Sequence, residues 1–104
     1  MYEDFFSSRL SQLRNNLGVS ARDMSLSIGQ NPGYINNIET GKALPSMAAF
    51  FYICEYLKIT PAEFFSEHNH NPVENRKLEN NITKLNTRQL NYISELIEDL
   101  VSKK

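Results

Sequence analysis

Apolar residues recur at helical spacing from one end of the chain to the other. Phe6, Leu10, Leu13 and Leu17 step by four, three and four, which predicts a first helix over about Asp4 to Leu17 with one apolar stripe. Met24 and Ile28 share a face four residues apart and predict a short second helix. Ser20 can cap it, with Asp23 near its positive end. Gly29 follows, where a helix can end in a left-handed residue. Asn31-Pro32 predicts the N-cap and first position of a third helix, which carries Tyr34, Ile35 and Ile38 and closes at Gly41.

Lys42 to Pro45 reads as a connection that Pro45 keeps extended. Ser46 opens a fourth helix to about Leu57. Its residues Met47, Phe50, Phe51, Ile53, Cys54 and Leu57 are apolar on nearly every side, which predicts a place at the centre of a small bundle. Thr60-Pro61-Ala62-Glu63 is a capping box with proline at the first helical position. It predicts a short fifth helix whose Phe64 and Phe65 close the core.

From Ser66 to Val73 the periodicity stops and polar turn-formers take over, which predicts a linker. Leu78, Ile82 and Leu85 then fit one helical stripe, and Asn86-Thr87 marks a break and a new cap. Leu90, Ile93, Ile97 and Leu100 step by three, four and three, a heptad seam that Leu96 and Val101 widen. Such a face calls for cover. It either folds back on the core or pairs with a second copy, and the linker favours pairing. The expected chain is all-α: a five-helix domain over 1–66, a linker over 67–73, and C-terminal helices over 74–104. Those helices would dimerise through Leu90, Ile93, Leu96, Ile97 and Leu100.

Composition narrows the chemistry. A chain of 104 residues, 40% hydrophobic, with six Phe and five Tyr, can fill a small core without staples. Its single cysteine excludes an intramolecular disulfide and a Cys-rich zinc site. Cys54 lies in the apolar run FFYICEYL and reads as a buried structural thiol. His68 and His70, without a neighbouring Cys or carboxylate cluster, read as exposed linker residues and not as a metal site. There is no Gly-rich phosphate loop, no HExxH and no nucleophile set, so no catalytic residue and no enzyme are expected. No cofactor or small-molecule ligand is evident. No apolar run nears the ~18 residues needed to span a membrane, and MYEDFF lacks a basic leader region. A soluble, cytoplasmic protein is expected.

Charge adds little. Lys+Arg 11 against Asp+Glu 12 gives −1, spread evenly along the chain. Non-specific binding to DNA should therefore be weak and salt-sensitive. A specific reader stays possible, because net charge does not fix the charge of one face.

The stretch Ser20 to Lys42, SARDMSLSIGQNPGYINNIETGK, has the order helix, turn, helix, and a second helix of this kind can lie in a DNA major groove. RLSQLRNNLGVS precedes it, ALPS follows, and ITPAEFF comes after the fourth helix. On these residues the chain from Phe6 to Phe65 resembles the lambda-repressor-like, Cro/C1-type (XRE) helix–turn–helix proteins. The resemblance implies a five-helix domain that binds double-stranded DNA as a homodimer at a two-fold operator, usually as a transcriptional regulator such as a repressor. It implies that Gly29 is the turn glycine and that Met24, Ile35 and Ile38 fix the interhelical angle. It implies a partly buried ion pair between Arg14 and Glu39. Base contacts would come from Asn31, Gly33, Asn36 and Asn37, and DNA backbone contacts from Arg22, Tyr34 and Lys42.

Asparagine suits adenine, since its amide can donate and accept at once. Ala21 stands where the family commonly has a glutamine. The third helix has no Lys or Arg before Lys42, so bidentate guanine reading by Arg is not available to it. An A/T-leaning reader of modest affinity follows. The competing reading is a protein-interaction module on the same fold with little or no DNA binding. Neutral charge and Ala21 favour it, whereas the Asn-rich face and Lys42 oppose it.

Overall fold

The computed structural model describes residues 2–103, and these contain seven helices and no strand. The chain divides into two compact units, Met1–Val73 and Glu74–Lys104. The first holds α1 (Tyr2–Leu17), α2 (Ala21–Ser27), α3 (Tyr34–Glu39), α4 (Met47–Leu57) and α5 (Pro61–Phe64). The boundary falls inside α6 (Pro72–Ile82), and α7 (Thr87–Ser102) belongs to the second unit.

Local signals set most helix ends. Ser20 Oγ accepts from Asp23 N at 3.0 Å, and Ser46 Oγ accepts from Ala49 N at 3.1 Å. Thr60 and Glu63 close the capping box on α5, each side chain accepting from the other's backbone N–H. Gly29 and Gly41 take φ of +77° and +80° at the ends of α2 and α3, which a Cβ would disfavour.

The core of the first unit joins the α1 stripe (Phe6, Leu10, Leu13) to Met24, Ile35, Ile38, Phe50, Ile53, Leu57 and Phe64. Phe6, Phe50 and Phe64 have ring centroids 4.8–5.6 Å apart, within the favourable range for aromatic pairs.

Two expectations about this core are corrected. Helix α4 is not central. It buries Ala49, Phe50, Ile53, Cys54 and Leu57, while Met47, Phe51 and Tyr52 lie exposed. A small unit has too few neighbours to cover a helix all round, and much of any protein surface is apolar. Phe64 is fully buried but Phe65 is half exposed, because successive helical residues point about 100° apart.

The segment expected as a linker over 67–73 is fastened to α1. Arg9, only 3% exposed, donates from Nε to Phe64 O at 2.6 Å and from Nη2 to Glu63 O and Asn69 O at 2.7 and 2.8 Å. Asn16 donates to His70 O at 2.7 Å. Pro72 is fully buried and Val73 packs on the core. The carbonyls at the end of α5 and beyond it need donors, and a guanidinium reaches several at once. We refer to residues 66–71 as the strap. His68 and His70 keep exposed side chains on it.

In the second unit, Asn86 and Gln89 form a capping box at the start of α7. No residue of α7 is buried. Leu90, Ile93, Leu96, Ile97, Leu100 and Val101 are all 36–61% exposed.

Cys54 is buried and free, and burial pushes its thiol up from 9.0 to about 11. The folded protein should therefore resist iodoacetamide at pH 8 and react once unfolded in urea, as read by mass spectrometry. The raised folded value also gives stability that is complete below about pH 9 and lost as pH climbs towards 11. Cys54→Ala should remove that alkaline loss from the urea midpoint.

Candidate nucleic-acid interface

The α2–turn–α3 segment is built from both ends. At the turn, Gly29 N donates to Leu26 O and Gln30 N to Ser25 O, at 3.1 and 2.9 Å. This double closure is the Schellman pattern. Gly41 repeats it on α3, with Gly41 N bonded to Ile38 O and Lys42 N to Asn37 O.

The start of the third helix is corrected. Asn31 does not cap α3, and Pro32 is not its first residue. Helix α3 begins at Tyr34, and its first four-residue bond runs from Asn37 N to Gly33 O. Asn31 to Tyr34 form a turn instead. Tyr34 N donates to Asn31 O at 3.1 Å, and Gly33 sits at φ −92°, ψ 1°. That is the third position of a type I turn, with Asn first and Pro second as such turns prefer. Asn31 Oδ1 also accepts from Gly33 N at 3.1 Å, which commits its carbonyl to the backbone.

Polar ties as well as apolar packing hold the back of α3. Ile35 and Ile38 are fully buried. Ser25 Oγ accepts from Ile35 N at 2.9 Å and donates to Ala21 O at 2.7 Å. One hydroxyl thus satisfies an N–H at the start of α3 that has no partner in its own helix. Ser7 Oγ donates to Ile38 O at 2.7 Å. Arg14 grips Glu39 with two hydrogen bonds, Nε to Oε2 at 2.7 Å and Nη2 to Oε1 at 2.9 Å, and donates to Val19 O at 2.8 Å. These side chains are only 15% and 10% exposed. The hydrogen bond to Glu39 outweighs desolvation and raises the Arg14 pKa.

Sequence reasoning passed over Ser7, Ser25 and Arg9. The first two carried a signal: each lies three residues before a stripe member, Leu10 or Ile28, as a small polar residue on an apolar face. Arg9 carried none, because the carbonyls it holds lie more than fifty residues away.

With the back of α3 fixed, its front is defined. Asn36 and Asn37 are exposed, and their side-chain amides make no hydrogen bond among the described residues. Asn31 and Gly33 are exposed on the turn before them, and Arg22 and Lys42 are exposed on the flanks. Tyr34 is half-buried against the core, and desolvation raises its phenol pKa. Ala21 is half-buried and also packs on the core. Among the described residues no group of His, Cys, Asp and Glu is placed to hold a metal ion, and no helix is long and apolar enough to cross a membrane.

Residues 8–69, more than half of the chain, match the helix-turn-helix domain family. The chain belongs to this family. The match begins at Ser8 within α1, covers α2 to α5 and runs on to Asn69, whose carbonyl Arg9 holds. The first part of the strap therefore lies inside the helix-turn-helix domain. No curated protein and no solved structure matches the chain.

Proposed function

We propose that this helix-turn-helix protein is a cytoplasmic, sequence-specific DNA-binding transcriptional regulator of the Cro/C1 (XRE) type, acting as a repressor. Helix α3 enters the major groove, and two copies bind a two-fold operator. The observation that carries this reading is the two-sided character of α3. Its back is tied to α1 and α2 through Ser7, Ser25 and Arg14, while the amides of Asn36 and Asn37 stand free on its front.

Asn36 and Asn37 are the adenine readers, since each can present a donor and an acceptor to one base edge. Asn31 offers its NH2, with one lone pair of its oxygen already taken by Gly33 N. Gly33 allows close approach. Arg22, Lys42 and the Tyr34 hydroxyl contact phosphates and set register. The apolar stripe of α7 supports a homodimer through Leu90, Ile93, Leu96, Ile97 and Leu100, because a helix with no buried residue gains its stability from a partner. The two copies of α3 would lie about one DNA turn apart, roughly 34 Å.

The test is selection of bound genomic fragments at low and near-physiological salt. Wild-type protein should recover one two-fold, A/T-leaning site. Asn36→Ala/Asn37→Ala should fold normally and lose on the order of 100-fold or more in affinity for it, at about 1–3 kcal/mol per bidentate pair. No enrichment by folded, dimeric wild-type protein would favour the second reading, a protein-interaction module. Near-neutral charge and Ala21 support that alternative.

A further inference from the structure

We propose that the cleft between α1 and the strap binds a small organic carboxylate. The cleft has a volume of about 320 Å³ and is lined by Phe5, Ser8, Arg9, Gln12, Glu67 and His70. It shares no residue with α2 or α3.

Arg9 is the reason to expect an anion. A guanidinium has five N–H donors. Arg9 makes four hydrogen bonds, to Phe64 O, Glu63 O, Asn69 O and Gln12 Oε1, and every acceptor is an uncharged oxygen. Among the described residues no carboxylate pairs with it. A charge that is 97% buried thus has helix-end carbonyls but no counter-ion. One hydrogen on Nη1 is left over. Nη1 is the nitrogen bonded to Gln12, a cleft residue, whereas Glu63, Phe64 and Asn69 do not line the cleft. Arg9 and Gln12 both line the cleft, so the nitrogen with a donor to spare belongs to a cleft residue.

The surroundings complete an anion site. The Ser8 hydroxyl makes no hydrogen bond among the described residues and can donate. Gln12 Nε2 and His70 Nδ1 are 3.4 Å apart, which ties the far wall to α1. The ring of Phe5 supplies an apolar side. One carboxylate oxygen can accept the remaining Nη1 hydrogen in a charge-assisted bond, and the phenyl wall favours an acid with an apolar body. The volume is at the small end of ligand sites, which run from roughly 300 to 1,000 Å³.

Glu67 sets the discriminating experiment. It lines the same cleft, is exposed, and has no partner among the described residues. Its carboxylate competes with a bound acid for the charge of Arg9. The full chain and Glu67→Gln would be titrated with sodium benzoate, against sodium chloride at matched ionic strength, and followed by 15N NMR including the Arg9 side-chain Nε–H. Benzoate should give saturable shifts confined to residues 5–12 and 66–71. Binding should tighten by roughly threefold in Glu67→Gln, the scale of one exposed charge interaction, and weaken in Ser8→Ala. Shifts that do not saturate, that chloride reproduces, or that Glu67→Gln leaves no tighter would overturn the proposal. The readout does not involve DNA, so it stands or falls apart from the regulator reading.

Discussion

Arg9→Leu is expected to lower the stability of the protein by roughly 3–5 kcal/mol. The leucine can fill part of the space but donates nothing. The carbonyls of Glu63, Phe64 and Asn69 would lose the guanidinium that now reaches all of them at 2.6–2.8 Å. Glu63 O would keep the N–H of Ser66 at 3.2 Å, but a buried acceptor left unpaired costs about 1–3 kcal/mol. A single small domain has only about 5–15 kcal/mol to lose. Arg9→Lys should recover little, because one ammonium cannot span acceptors that a planar fork meets at once. Urea unfolding followed by circular dichroism checks both variants. A loss below about 1 kcal/mol for Arg9→Leu would mean that the strap is held mainly by the Asn16–His70 bond and the burial of Pro72 and Val73.

Glu39→Ala should cost about 3 kcal/mol, since it leaves the Arg14 guanidinium largely desolvated without its carboxylate. The side chains are 15% and 10% exposed, which places the pair nearer the buried limit than the surface one. Arg14→Met should cost a similar amount. The double variant Arg14→Met/Glu39→Ala should recover part of the loss, because neither charge is then stranded. A cycle showing full additivity would mean that the two residues act separately and that the pair does not anchor α3. The single variants should also weaken operator binding, because the pair fastens the C-terminal end of α3 to α1.

The chemistry of this protein is thus divided between a polished back and a sparse front. Helix α3 is only six residues long and stays in place through contacts made by other helices. The face proposed to read DNA has few side chains, with free amides at Asn36 and Asn37 and with Asn31 partly committed to its own turn. That economy fits a protein with no net basic charge. Affinity would then come from geometry and from pairing of two copies more than from phosphate attraction.

The sequence by itself determined what lies within about four residues of its own cause. The Ser20, Ser46, Thr60 and Asn86 caps, the left-handed glycines and the α7 stripe were legible, because cap and carbonyl, or one turn and the next, are neighbours along the chain. The Arg14–Glu39 pair, 25 residues apart, was legible only through the resemblance to a family. The tertiary structure alone decided which side of α4 meets solvent, where α3 begins, and how Ser7, Ser25 and Arg9 are used. Asn31-Pro32 fits a helix start and a type I turn equally well by residue type, and packing chose the turn. Ser7 and Arg9 meet backbone carbonyls 31 to 60 residues away. No local propensity selects such partners. They are fixed when the apolar stripes have docked and the remaining buried N–H and C=O groups must each be satisfied by whatever side chain the docking brings within reach.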